Sequence, residues 1–312
     1  MTVLPLVTVV MSVYNGAENL PETLESILSQ EGVNLEFIAV NDGSTDDTLR
    51  ILDEYAVRDK RLKVLNQENQ GLTRSLIRGC ADAKGEFIAR QDAGDTSLSS
   101  RLYKQQSFLI ENPDVVLVSC GTRFIGPTGE KLYEVIQSEE SASKGLHLLT
   151  IEDIRGPSHH GSTMFRKKDY QAVGGYRVQF QVAQDIDLWT RLVERGRHFA
   201  IQKILYQASV VCSAISFRKR NQQIKTAELI IECSRRRRSE QSDEEILEQV
   251  FLLASVEVGG SNRSWVQKSG YFYYLGCCLR NSDPRKAKKY FTLAVKSNPL
   301  HLKALFRFLT TR

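Results

Sequence analysis

The 312-residue chain is 41% hydrophobic and 25% charged, the balance of a globular protein with room for one large domain or two ordinary ones. No apolar run reaches the roughly 18 residues of a membrane helix, and the apolar stretch at 6–11 lacks the basic lead-in of a signal peptide. The six cysteines form no C-x-x-C pair, which excludes a zinc ribbon and favours reduced thiols in a cytoplasmic protein over a disulfide framework.

Residues 7–13 are β-branched and apolar, as suits a strand buried on both faces. Asn19 reads as the N-cap of a helix with Pro21 in its first turn, carrying Leu20, Leu24, Ile27 and Leu28 on one face. A second strand covers 35–40. Ser44-Thr45-Asp46-Asp47 then opens a second helix bearing Leu49, Leu52 and Tyr55. A strand at 62–65, a helix at 72–81, a strand at 86–89, a helix at 101–110 and a strand at 115–119 complete the run. Such strict alternation predicts a parallel α/β sheet with right-handed crossovers and a ligand site at the carboxyl ends of its strands. That rule gathers four polar clusters on one edge: Ser12-Val13-Tyr14-Asn15, Asn41-Asp42-Gly43-Ser44, residues 69–74, and Asp92 to Asp95. Neither G-x-G-x-x-G after the first strand nor G-x-x-x-x-G-K-[ST] occurs, so a nucleotide must be held by other means.

Beyond about Ser216 the pattern is helical: 222–237, 244–258, a break at Gly259-Gly260-Ser261, then a hairpin of 271–279 and 284–296. The spacing of Ala287, Tyr290-Phe291, Ala294 and Asn298-Pro299 resembles one tetratricopeptide unit over about 269–299. One unit does not make an array, so a helical appendage is expected. The expected division is residues 1–216 as the α/β domain and 217–312 as a helical C-terminal region. Arg235-Arg236-Arg237-Arg238 is followed by Glu240, Asp243, Glu244 and Glu245, and reads as a solvated helix face rather than a nucleic-acid surface. Peripheral contact with the inner face of a membrane stays open.

Five stretches, in order, resemble the family 2 glycosyltransferases of the GT-A fold over residues 7 to about 217. They are "VTVVMSVYNGAENLPETLESILSQ", "EFIAVNDGSTDDT", "NQGLTRSLIRG", "GEFIARQDAGD" and "HHGSTMFRKKDYQAVGGYR" with "AQDIDLWTRL". The resemblance implies an inverting enzyme that moves one sugar from a nucleotide-sugar donor, expected to be a UDP-sugar, to an acceptor hydroxyl. The acceptor would be a glycan or a lipid-linked glycan in polysaccharide biosynthesis. Asp42 would meet the N–H of a uracil-like base, Tyr14 would stack on it, and Ser12 and Val13 would supply backbone groups. Arg74 would lie near the diphosphate; Arg78 serves equally well as part of a basic helix face. Asp92 and Ala93 would bind donor.

A divalent ion, Mn²⁺ or Mg²⁺, is implied as well. The family's metal-binding carboxylate falls at Gly94 in this sequence, which leaves Asp95, with Asp92, as the expected ligands, brought round by glycine's freedom at φ. Asp185 inherits the role of general base, and Gln184 replaces the usual Glu, removing a charge that would raise the Asp185 pKa. His160, Gln184 and Trp189 are expected on the acceptor side. His159-His160 are not expected to ligate metal, because no second ligand pair is near in sequence. No Gln-x-x-Arg-Trp segment follows Asp185, which favours single addition over polymerisation. Two rivals remain: a non-catalytic nucleotide- or glycan-binding relative acting through its C-terminal helices, and a nucleotidyltransferase, which lacks the expected phosphate loop.

Overall fold

The computed structural model describes residues 5–138, 144–147, 156–212, 220–255 and 264–311. Four parallel strands, β1 (Leu6–Val13), β2 (Asn34–Asp42), β3 (Leu62–Gln67) and β4 (Phe87–Asp92), lie in the order β3-β2-β1-β4. Between them run α1 (Leu20–Leu28), α2 (Thr48–Arg58) and α3 (Leu72–Asp82). β1 and β2 are apolar on both faces because each face is covered. Val7, Val9 and Met11 with Phe37 and Ala89 bury against Leu24 of α1, Leu52 of α2 and Leu102 of α4 (Arg101–Glu111). Val10, Ile38 and Ile88 bury against Leu76 of α3 and Leu188 of α6 (Gln184–Leu192), and α5 (Lys167–Ala172) precedes α6. Each such side chain contributes roughly 1.5–3 kcal/mol by leaving water. Asn19 occupies the N-cap position of α1, but its side chain makes no capping bond; the proline in the first turn marks the start instead.

Register sets the site. Ser12 lies beside Asp92, Val13 beside Asn41, and Asp42 beside Gln67. The four strand ends therefore finish level, and the loops that follow them share one edge.

After β4 the sheet remains mostly parallel, as expected, but antiparallel strands enter it. Residues 96–97 form β5 (Thr96–Ser97), and β6 (Val115–Ile125) is separated from β4 by β8 (Met164–Arg166), antiparallel to both. β9 (Arg197–Ser209) runs parallel to β6 with register shifts, β5 pairs antiparallel with its end, and β7 (Lys131–Val135) pairs with β6. The sheet is mixed because a three-residue strand carries too little pattern to be read, yet enough backbone to join two halves. Its approach is the short 3-10 turn His160–Ser162.

The C-terminal region is helical: α7 (Arg220–Arg238), α8 (Glu244–Ser255), α9 (Ser264–Leu279), α10 (Pro284–Ser297) and α11 (Leu302–Thr310). The expected break at Gly259-Gly260-Ser261 and the expected boundary near Ser216 lie outside the described residues. α9 and α10 form a hairpin that docks on β6 and β7: Tyr290 donates to Glu130 at 2.5 Å and Tyr271 to the Val210 carbonyl at 2.8 Å. The arginine run at the end of α7 is engaged within the molecule. Arg237 pairs with Glu194 at 2.8 Å and Asp243 at 3.3 Å, Arg236 with Glu245 at 3.1 Å, and Arg238 donates to the His147 carbonyl. Among the described residues, no helix is long and apolar enough to cross a membrane.

Candidate active site

The loops after β1 and β2 are laced together. Asn15, at φ +49°, donates its N–H to Ser44 Oγ (2.9 Å) and accepts the Thr45 N–H on Oδ1 (2.8 Å), while Gly16 N–H donates to Thr48 Oγ1. Ser44 and Thr45 thus tie two loops together, and Asp46 supplies the bond to the Thr48 N–H at the start of α2. Tyr14 is left 53% exposed on this edge. Asp42 is buried and accepts from Gln67 Nε2 (2.7 Å), Gln70 N–H and Gly71 N–H (both 2.9 Å), which fixes the turn into α3. One turn on, Arg74 is exposed and, among the described residues, makes no side-chain bond. Arg78 is tied back to the Asn66 carbonyl and Gln67 Oε1.

The acidic turn at the end of β4 draws on both halves of the sheet. Gly94 sits at φ +91°, and its N–H donates to Thr23 Oγ1 at 3.0 Å. A positive φ is open to glycine without penalty, and it turns Asp95 back beside Asp92. Asp95 Oδ1 accepts the Ser209 N–H (2.9 Å) and Oδ2 accepts the Tyr206 hydroxyl (2.9 Å), which itself accepts the Asp92 N–H (3.1 Å). The Tyr206 ring is stacked by His159 at 5.3 Å, and the Arg101 guanidinium lies over it at 5.2 Å.

His159 Nδ1 stands 3.8 Å from Asp92 Oδ2 and 3.7 Å from Asp95 Oδ2, and the three groups offer ligand atoms within 4.8 Å of one another. The expectation that these histidines lie away from any ligand pair is therefore corrected for His159: the pair arrives from β4, about 65 positions earlier in the chain. His159 Nδ1 accepts the Gly161 N–H at 3.2 Å, a bond its single lone pair would give up to ligate a cation beside the two carboxylates. Three lone-pair atoms around one point fit a cation.

The two carboxylates differ electrostatically. Asp92 Oδ1 binds Nη2 of Arg90, a fully buried side chain, at 2.6 Å. Burial opposes the Asp92 charge, but the Arg90 guanidinium holds its pKa below the usual carboxylate value. Asp95 goes the other way: burial, reinforced by the charge of Asp92, pushes it up to about 6 against the pull of His159, the Ser209 N–H and the Tyr206 hydroxyl.

Across from this turn, α6 begins after Ala183 at φ +55°. Gln184 is buried; Asp185 is partly exposed and accepts its neighbour Ile186's N–H at 3.0 Å. The tightly packed surroundings push the Asp185 pKa up, and the Asp92 charge adds to this while His159 opposes it. Asp185 is thus raised without a neighbouring Glu, by burial and by a carboxylate from another strand. Asp187 is structural: buried, it binds Arg177 and, at 2.6 Å, Arg191.

A sequence profile described as glycosyl transferase family 2 matches residues 8–174. The chain belongs to glycosyltransferase family 2. EpsE of Bacillus subtilis (strain 168), described as a glycosyltransferase, is 33% identical over 267 residues, 83% of this chain and 92% of that protein. A glycosyltransferase of Haemophilus influenzae (strain ATCC 51907 / DSM 11121 / KW20 / Rd) is 39% identical over 201 residues, 62% of this chain and 61% of the other. Among solved structures, the mannosyltransferase PcManGT from Pyrobaculum calidifontis, in complex with GDP-Man and Mn²⁺, superposes with a TM-score of 0.58 at 18% identity, covering 99% and 88% of the two chains. S. aureus TarS in complex with UDP-GlcNAc gives 0.57 at 17% identity, covering 98% and 90%. These likenesses show the GT-A fold, and the relatives show a glycosyltransferase.

Within this family 2 enzyme, two residues expected on the acceptor side lie inside the wall. His160 is buried, bonded through Nε2 to the Tyr176 hydroxyl (2.7 Å) and to Arg90 Nε (3.3 Å); burial and Arg90 push its pKa down to about 3, so its imidazole is neutral. Trp189 is also buried, edge-on to His160 at 6.1 Å. Ala93 is half-buried in the turn beside Asp92. Sequence reasoning missed His159, Tyr206, Arg90 and Arg101. The doubled histidine was a signal for the first, but Tyr206 lies in an irregularly paired strand and gave none.

Proposed function

We propose that this glycosyltransferase moves a single sugar from a UDP-sugar to a hydroxyl of a glycan or lipid-linked acceptor, with inversion and with Asp185 as general base. The observation that carries this reading is the meeting of Asp92, Asp95 and His159 at the carboxyl edge, with Asp185 in the electrostatic field of Asp92 and His159. PcManGT in complex with GDP-Man and Mn²⁺, and TarS in complex with UDP-GlcNAc, support a nucleotide-sugar donor on this fold. For the base, three of the roughly four acceptor positions of the Asp42 carboxylate are filled by the chain. One remains for the single imino N–H of uracil, while guanine presents more donors. Tyr14 offers its ring for stacking, Ser12 and Val13 their backbone, and Arg74 a guanidinium, unpaired among the described residues, for the diphosphate.

Two carboxylate oxygens and an imidazole nitrogen suit Mn²⁺ better than Mg²⁺, which favours oxygen alone. A divalent ion held there supplies charge neutralisation for the diphosphate leaving group. Asp185 takes the acceptor hydroxyl proton as that oxygen bonds to the anomeric carbon, while the bond from that carbon to the diphosphate breaks on the opposite face. A raised pKa makes Asp185 a better proton acceptor once ionised.

The test is Asp185→Asn. Transfer is expected to fall by roughly 10²–10⁴-fold, while thermal stabilisation by the donor, largest with a uridine nucleotide, is retained. Unchanged transfer would place the base elsewhere.

A further inference from the structure

The last helix leaves an apolar face uncovered. α11 (Leu302–Thr310) packs inward through Ala304, and the Lys288 ammonium lies over the Phe308 ring at 5.6 Å. Leu302, Leu305, Phe306 and Leu309 fall at i, i+3, i+4 and i+7, a single stripe turned away from that contact. Leu302 is 73%, Phe306 61% and Leu309 72% exposed, and Leu300 just before the helix is also exposed. The helix is held to its own domain through Ala304, Phe308 and a bond from Arg307 to Tyr273, so the opposite face, uncovered among the described residues, is free for something else.

Charge indicates what that is. Residues 264–312 contain ten Lys and Arg and one acidic residue, Asp283, although the whole chain carries only +5. On α10, Ala287, Tyr290, Phe291 and Ala294 are buried. At 100° per residue, Arg285, Lys289 and Lys296 share the opposite, exposed face. Among the described residues, Lys286, bound to Asp283 at 3.8 Å, is the only α10 cation in an ion pair. A cationic stripe on one helix thus accompanies an apolar stripe on the next. A second copy of the chain would bring the same positive field against itself, which disfavours self-association. An anionic bilayer complements both features: the headgroups meet the cations, and the leucines and phenylalanine enter the acyl boundary.

We infer that α10 and α11 form a docking surface for an anionic lipid membrane. It holds the enzyme at the bilayer surface and is independent of how the active site reads. The test is flotation of the full chain with vesicles of phosphatidylglycerol and phosphatidylcholine, against phosphatidylcholine alone. Binding to the anionic vesicles is expected to be at least about tenfold tighter and to weaken in high salt. Phe306→Ser with Leu309→Ser, and separately Arg285→Glu with Lys289→Glu and Lys296→Glu, should each abolish flotation, with the melting temperature and transfer to a soluble acceptor preserved. Failure to bind anionic vesicles, or equal binding to neutral ones, overturns the inference. So does a concentration-dependent dimer broken by the Phe306 and Leu309 changes, which would assign the face to a second copy.

Discussion

The two walls of the active site are built on different principles. The β1–β4 wall is local: each loop follows its own strand, and the register of parallel neighbours sets the four ends level. The opposite wall is assembled at long range. His159 enters through a 3-10 turn before an antiparallel three-residue strand, Tyr206 through the far end of β9, and Asp185 through a helix start at positive φ. Each wall is incomplete alone. Asp95 belongs to the first by sequence but is held by Tyr206 and Ser209 of the second. A site made this way depends on contacts between the walls as much as on its ligating groups.

Substitutions can break that comparison one joint at a time. The largest effect is expected from Asp92→Ala. It removes a proposed donor- and metal-facing carboxylate and strands the fully buried Arg90, so loss of transfer should come with roughly 3–5 kcal/mol of stability, measured by urea unfolding. Tyr206→Phe should follow. Asp95 loses a donor and the Asp92 N–H loses its acceptor, at a cost of about 1–3 kcal/mol. Weaker Mn²⁺ binding should accompany it, because the same hydroxyl spans both walls. Gly94→Ala should be smallest. An added Cβ meets only Asn19 Cβ at 4.0 Å, so the effect is the strain of holding φ +91°, roughly 1–2 kcal/mol. A clearly larger loss would mean that the turn resists more than its own backbone strain.

The same division explains what could be read in advance. The apolar runs at 7–13 and 35–40 and the polar clusters after them carry the parallel half of the sheet, because two covered faces and a level edge leave direct marks in the residue pattern. Asp92 and Asp95 were legible as an acidic turn, and Gly94 announced that the turn takes an unusual backbone path. Asp187 beside Asp185 could be separated from it only by its pairing with Arg177 and Arg191. The doubled histidine marked His159 as a candidate, but its place and that of Tyr206 were not legible, because they depend on β8 lying between β4 and β6 and on register shifts in β9. Neither leaves a periodic trace. The arginine run at the end of α7 was readable as an offset helix face, but one partner, Glu194, lies over forty residues away and not in the acids that follow.

The proposed cation site is closed across the two walls by Asp92, Asp95 and His159. Mn²⁺ titration monitored by electron paramagnetic resonance tests it most directly, with the wild-type chain and His159→Ala compared across pH. Asp95 is held up to about 6 against an ordinary 3.8, so its protonated form favours folding most below 3.8 and that contribution is lost as pH rises through about 6. Mn²⁺ must displace that proton, so wild-type affinity should climb as pH rises through about 6 and then level off. His159→Ala should remain folded and bind Mn²⁺ at least about tenfold more weakly, with the histidine nitrogen coupling gone. Equal affinity in the two proteins, or no Mn²⁺ bound by the wild type, would contradict the account.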